Sequence, residues 1–216
     1  MDVVYILGSG SLADNKEIFY SIRSLEKNML DLGDIYIVGE FPPFLPRCKH
    51  IPARDIFKDK WQNALSKVRL ACSVGEISEE FLLMNDDFFI LEPFSGAEWP
   101  FYALKGSNGG SCGQHSFHIH CPIRINKEFY LKMPLDTESK ACKSPRTFYS
   151  NFYKAPPKFS EDFILRVGPV CRDFDDQIKN WPSFSISADA VLNDKFISWL
   201  EKMYPEPSRF ESKPLA

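Results

Sequence analysis

Four apolar residues, Phe81-Leu82-Leu83-Met84, run straight into Asn85-Asp86-Asp87 and out again into Phe88-Phe89-Ile90-Leu91. A short unbroken apolar run marks a strand buried on both faces, as in a parallel sheet covered by helices. Two adjacent carboxylates and an amide set between two such runs cost desolvation energy unless a cation or a ligand compensates them. A solvated turn built from Asn and Asp is the ordinary alternative, and the apolar flanks disfavour it. The acidic group therefore belongs at the carboxyl end of a strand, where open α/β sheets place their ligands.

Other segments supply the neighbours such a strand needs. Val3-Val4-Tyr5-Ile6-Leu7 is a second apolar run, stopping at Gly8-Ser9-Gly10-Ser11, and Ile35-Tyr36-Ile37-Val38 is a third, ending at Gly39. Between them Ile18, Ile22, Leu25 and Met29 recur at helical spacing, and Asp14 or Asn15 is placed to cap that helix. A proline-rich stretch at 41–46 leads to a short strand near His50-Ile51. A second helix is expected from Lys60 to Cys72 on the spacing of Trp61, Ala64, Leu65, Val68 and Ala71. Further on, 105–114 reads as a flexible loop suited to a lid, His115–Ile125 as a strand, and 126–132 and 189–203 as helices. The tail after Pro205 reads as polar.

The chain has 216 residues, enough for one domain with a sizeable core. Its net charge of −3 argues against the broad basic footprint of a nucleic-acid-binding domain. No apolar run reaches the roughly 18–20 residues of a membrane span, and the start lacks a basic signal-like region, so a cytoplasmic protein is expected. The six cysteines (Cys48, Cys72, Cys112, Cys121, Cys142, Cys171) include no CxxC pair and read as reduced thiols.

Hard oxygen ligands such as Asp86 and Asp87 suit Mg²⁺ or Mn²⁺ bridging a diphosphate. Gly8-Ser9-Gly10-Ser11 offers backbone N–H groups to a phosphate or a base, without the full dinucleotide fingerprint or the Walker lysine. Arg23, Lys60, Lys67, Lys143 and Arg146 are candidate phosphate cations, Arg23 because it falls near the edge of the first helix's buried face. His115, His118 and His120 cluster between Cys112 and Cys121. Their spacing matches no standard zinc pattern, so an acid, base or phosphate-contacting imidazole is the stronger reading. A satisfied core histidine remains open for each.

Residues 14–28, Ile35–Val38, Asn63-Ala64 and Ile77–Phe88 together closely resemble the second conserved block of the Stealth proteins, the capsular-polysaccharide and lysosomal-type sugar-1-phosphate transferases. Val3–Ser11 resembles a truncated first block, His120-Cys121-Pro122 the third block's His-x-Pro, and Lys143–Arg146 the arginine-containing stretch after it. Phe184–Ser187 and Tyr204–Glu211 resemble the ends of short bacterial or phage relatives described as glycosyltransferases. The resemblance implies a GT-A-like α/β domain, a mixed sheet flanked by helices. Residues 1–95 would form its nucleotide-sugar-binding half and 96–216 its acceptor and catalytic half. It also implies a divalent metal at Asp86 and Asp87, donor contacts from Gly8, Ser9, Gly10, Ser11, Asn15 and Arg23, and a catalytic role for His120. Lys60, Asn63 and Lys67 are further donor-binding candidates, and Asp87 and Arg146 further catalytic candidates.

The family's first-block Trp-x-Asp-Gly is replaced here by Leu7-Gly8-Ser9-Gly10, so an aspartate of the phosphotransferases is missing. The primary expectation is thus a metal-dependent glycosyltransferase that takes a nucleotide-sugar, with a UDP-sugar the favoured donor. The expected acceptor is a hydroxyl, on a glycan or on a hydroxymethylated base of phage DNA, in a bacterium or a phage-infected host. Sugar-1-phosphate transfer is the alternative, and an inactive sugar-nucleotide-binding module the second.

Overall fold

The computed structural model describes residues 1–8, 15–107, 113–118, 120–134, 145–165, 167, 173–187 and 189–212. Strand β1 (Asp2–Leu7), helix α1 (Glu17–Asn28) and strand β2 (Ile35–Gly39) form a right-sized βαβ unit, with β1 and β2 parallel and Tyr5 opposite Ile37. Strand β3 (Lys49–Ile51) adds to β2, helix α2 (Lys60–Ser73) crosses back, and β4 (Glu80–Met84) pairs parallel with β1, Tyr5 opposite Met84. The resulting order β3-β2-β1-β4-β7 closes with antiparallel β7 (Ile123–Asn126).

Side-chain alternation divides the core. Val3, Tyr5, Ile35, Ile37, Leu82 and Met84 pack with Ile18, Ile22 and Leu25 of α1, whereas Val4, Tyr36, Val38, Phe81 and Leu83 pack with Val68 and Ala71 of α2. Apolar side chains on both faces explain why these strands read as unbroken runs. Helices α3 (Lys127–Lys132) and α4 (Pro145–Phe152) extend the α2 layer through Tyr130 and Tyr149.

The second half of the chain contributes to more than one layer. Strand β5 (Phe88–Ile90), just after the acidic turn, pairs antiparallel with β10 (Ser183–Ile186), which pairs parallel with β9 (Ile164–Leu165). Helices α5 (Phe174–Ile178) and α6 (Asp194–Met203) cover this small sheet with Phe174, Phe196 and Leu200. A parallel pair, β6 (Phe101–Leu104) with β8 (Pro157–Ser160), lies apart. Among the described residues no helix is long and apolar enough to cross a membrane.

Several expectations need correction. His115–Ile125 is not one strand: among its described residues only the start of Ile123–Asn126 is regular, and Phe117 makes an isolated bridge to Ala103. Pro122 lacks an N–H for a ladder, and its carbonyl instead accepts from Trp99 Nε1. Asn15 does not cap α1; it adopts a left-handed φ of 57°, and Lys16 occupies the cap position without a side-chain cap bond. Asp14 lies outside the described residues. The expected helix 189–203 is a 3₁₀ turn, Ala190–Leu192, followed by α6, because Asn193 caps the new helix through the N–H groups of Lys195 and Phe196. The tail is not simply polar, since Ser208, Phe210 and Glu211 are buried.

Candidate active site

Strand β1 sends its helical crossover one way to β2, while α2 returns the chain to β4 on β1's other side, so the strand order reverses between β1 and β4. That reversal opens a crevice at the strands' carboxyl ends. Gly8 follows β1 and Asn85-Asp86-Asp87 follows β4, so both sequence signals meet there.

A polar stripe on α1 sets the acidic turn. Ser21 Oγ donates to Phe88 O (2.7 Å) and approaches Asn85 O (3.4 Å), and Tyr5 OH lies 3.0 Å from the same Ser21 Oγ. Ser24 Oγ accepts from Ile90 N (3.1 Å), and Asn28 Nδ2 donates to Ile90 O (2.8 Å). These positions, about one helical turn apart, bond buried backbone groups of β5 on the side away from β10. From the other side Ile186 N donates to Asp87 O at 3.1 Å.

Around this turn the charges are unequal. Burial, then the negative charges of Asp87 and Glu17, push the Asp86 carboxyl up to about 7. Arg146 is buried on α4 and supplies an opposing charge; its Nε donates to Cys121 O (2.8 Å) and its NH2 to Asn85 Oδ1 (2.5 Å). Loss of water lowers its guanidinium to about 10, opposed chiefly by Asp87, so it stays charged at neutral pH. Asp87 Oδ2 faces His120 Nδ1 at 3.1 Å, while Asp87 Oδ1 is buried and has no hydrogen-bond partner among the described residues.

That orphaned oxygen and the raised Asp86 carboxyl are what a divalent cation would relieve, and the hard-oxygen donor set fits Mg²⁺ or Mn²⁺. Among the described residues no cluster of three or more His, Cys, Asp or Glu side chains could hold a metal.

At the end of β1 lies a small cleft of about 190 Å³ lined by Leu7, Gly8, Asp55, Lys60, Asn63 and Lys67. Lys67 Nζ is buried between Leu7 O (2.6 Å) and Asp55 Oδ1 (2.6 Å). This is possible because residue 39 is glycine: a Cβ there would meet Leu7 O at 2.1 Å, and its φ is +114°. The Asn63 amide accepts from Phe57 N (2.9 Å) and donates to Phe57 O (2.8 Å), fixing the loop that carries Asp55. Lys67 and Asn63 therefore build the cleft wall, with Lys60 at its rim.

Four expected donor contacts, Arg23, Ser9, Gly10 and Ser11, fall elsewhere or outside the described residues. Arg23 turns to the C-terminal segment: Nε and NH2 donate to the two Glu211 carboxylate oxygens at 2.7 and 2.9 Å, and NH1 to Tyr204 O at 2.9 Å. The sequence could not show that Glu211, 188 residues away, takes this fork. Ser9, Gly10, Ser11, Lys143, Cys112, Cys142 and Cys171 lie outside the described residues. The three histidines do not share a site: His118 bonds Ser160 and Asp162, His120 bonds Asp87, and the His115 ring packs on Phe117 and Phe159. Asp55 and Glu17 were missed, since neither sits in a pattern that sets it apart from a surface carboxylate.

A mixed α/β sheet whose strand order reverses between β1 and β4 places the chain in the open, helix-flanked α/β class. More particularly, the solved structure of an active-site mutant of LgtC, a GT-A glycosyltransferase, aligns with a TM-score of 0.57 at 9% identity, covering 97% of this chain and 98% of that one. The fold is thus GT-A-like, a single α/β domain. No known family profile and no curated protein matches the sequence.

Proposed function

We propose that the protein is a glycosyltransferase that moves a sugar from a nucleotide-sugar, with a UDP-sugar the favoured donor, to an acceptor hydroxyl. The observation that carries this reading is the Asp86-Asp87 turn at the switch point of a GT-A-like sheet, with Asp87 Oδ1 orphaned and His120 bound to Oδ2. The Gly8–Asp55 cleft takes the base end of the donor, and Asp86 and Asp87 hold the cation. A bound Mg²⁺ or Mn²⁺ supplies positive charge to the departing diphosphate.

The chain's own groups do the rest. Asp87 fixes the His120 ring through Nδ1, which leaves Nε2 to take the proton of the acceptor hydroxyl as its oxygen attacks the anomeric carbon. The bond from that carbon to the diphosphate oxygen breaks in the same displacement. Arg146 sets a buried positive charge against Asp87.

Thermal stabilisation by UDP with Mn²⁺, followed by product analysis with UDP-sugars, tests the proposal. Release of UDP supports glycosyl transfer; release of UMP points to sugar-1-phosphate transfer, the route the Stealth resemblance implies. Binding without turnover across acceptors would favour an inactive binding module.

A further inference from the structure

A second set of reactive groups involves neither Asp86 nor Asp87. Ser160 ends β8, and its Oγ lies 3.1 Å from His118 Nε2; the other ring nitrogen, Nδ1, lies 3.3 Å from Asp162 Oδ1. Each imidazole nitrogen thus has one partner, a hydroxyl on Nε2 and a carboxylate on Nδ1, which is the order of roles in a serine nucleophile relay. The His118 ring is buried, stacked on Phe163 at 15° between planes and set edge-on to Tyr102, so its orientation is fixed by packing as well as by hydrogen bonds. Ser160 itself is half-buried, and the Asp162 side chain is partly exposed.

The strand face that carries Ser160 also carries Lys158, which lines a cavity. Tyr102 pairs with Lys158 and Leu104 with Ser160, so alternation puts Lys158 and Ser160 on one face of the β6–β8 pair. Tyr102 and Lys158 line a cavity of about 430 Å³ that also includes Glu92, Glu98, Trp99 and Asn180. Carboxylates and an amide around an apolar wall suit a polyhydroxylated group.

We propose that Ser160, His118 and Asp162 form a second catalytic site that hydrolyses short-chain carboxylic esters of polyhydroxylated alcohols. Ser160 Oγ attacks the ester carbonyl carbon and its proton passes to His118 Nε2. The ester C–O bond breaks, and the alcohol leaves with that proton. Water then attacks the acyl-serine, giving a proton to His118; the carboxylic acid departs and Ser160 regains its proton. Asp162 accepts the His118 Nδ1–H and keeps the ring in place. The Lys158 ammonium, two residues along the same face, offsets the negative charge that develops on the carbonyl oxygen.

A fluorophosphonate probe on the folded protein, read by mass spectrometry, tests this directly, with 4-nitrophenyl acetate hydrolysis as the turnover assay. The label is expected on Ser160, and Asp162→Asn, at a partly exposed side chain that is safe for folding, is expected to slow labelling and hydrolysis by ~10²–10⁴-fold through loss of the ring's orientation. His118→Gln is expected to do the same. Absence of label on Ser160 in the wild-type protein would overturn the proposal, as would labelling at an unchanged rate in a folded Asp162→Asn variant.

Discussion

Asp87 divides its two oxygens between two tasks: Oδ2 sits 3.1 Å from His120 Nδ1, and Oδ1 is buried with no hydrogen-bond partner among the described residues. One carboxylate therefore orients the proposed base and also faces the place where a cation would sit. This joins residues 33 positions apart in sequence, at the end of β4 and just before β7.

His120→Ala should lower turnover by ~10²–10⁴-fold while donor affinity stays near wild type, because the base acts in the transfer step and not in holding the donor. Calorimetry for the donor and steady-state kinetics read the two effects separately. Equal losses in both would make His120 a binding group.

Arg23→Ala should act on stability. It removes one partner of a nearly buried pair, with side-chain exposures of 12% for Arg23 and 5% for Glu211, and leaves the Glu211 carboxylate with the Ser208 N–H but no opposite charge. A cost of about 3 kcal/mol is expected in urea unfolding, with donor affinity unchanged in the folded variant. Lost affinity at unchanged stability would return Arg23 to the donor site.

The strands β1, β2 and β4 were legible because burial on both faces leaves an unbroken apolar run, and helices α1 and α2 because their packed faces repeat at 3.6 residues. The acidic turn was legible because charge between two apolar runs has few uses. What could not be read is what depends on distant partners. Ser21, Ser24 and Asn28 look like ordinary polar helix positions until β5 is seen to bond to them. Helix α4, which delivers Arg146, is eight residues long and was noticed only through its arginine. Likewise, the clustering of His115, His118 and His120 in sequence gives no sign that His118 turns to Ser160 and Asp162 while His120 turns to Asp87.

Gly39→Ala should damage both fold and site. The added Cβ would stand 2.1 Å from Leu7 O and 3.1 Å from Lys67 Nζ, at a φ of +114° that an L-residue rarely adopts. A loss of more than about 1 kcal/mol is expected in chemical denaturation. Because the clash falls on the Lys67–Leu7 contact that walls the cleft, nucleotide affinity in the folded fraction should fall too. Wild-type nucleotide affinity would separate this cleft from donor binding.

Asp86 gives the pH dependence its sign. Its carboxyl titrates near 7 in the folded chain against 3.8 ordinarily, so between those values the folded state holds a proton that the unfolded state has released. Its contribution to stability is therefore fully present below about pH 4 and is lost as pH rises through about 7. A cation needs the ionised form, so stabilisation by Mn²⁺ with nucleotide should grow between pH 6 and 8, as the apo protein loses this contribution. Asp86→Asn removes the titrating group: the variant's apo melting temperature should exceed that of wild type at pH 8, and its Mn²⁺-dependent shift should vanish at every pH. Melting curves at pH 6, 7 and 8, with and without Mn²⁺ and nucleotide, measure both effects. A metal-dependent shift in wild type that is equal at pH 6 and 8 would mean that Asp86 does not control cation binding.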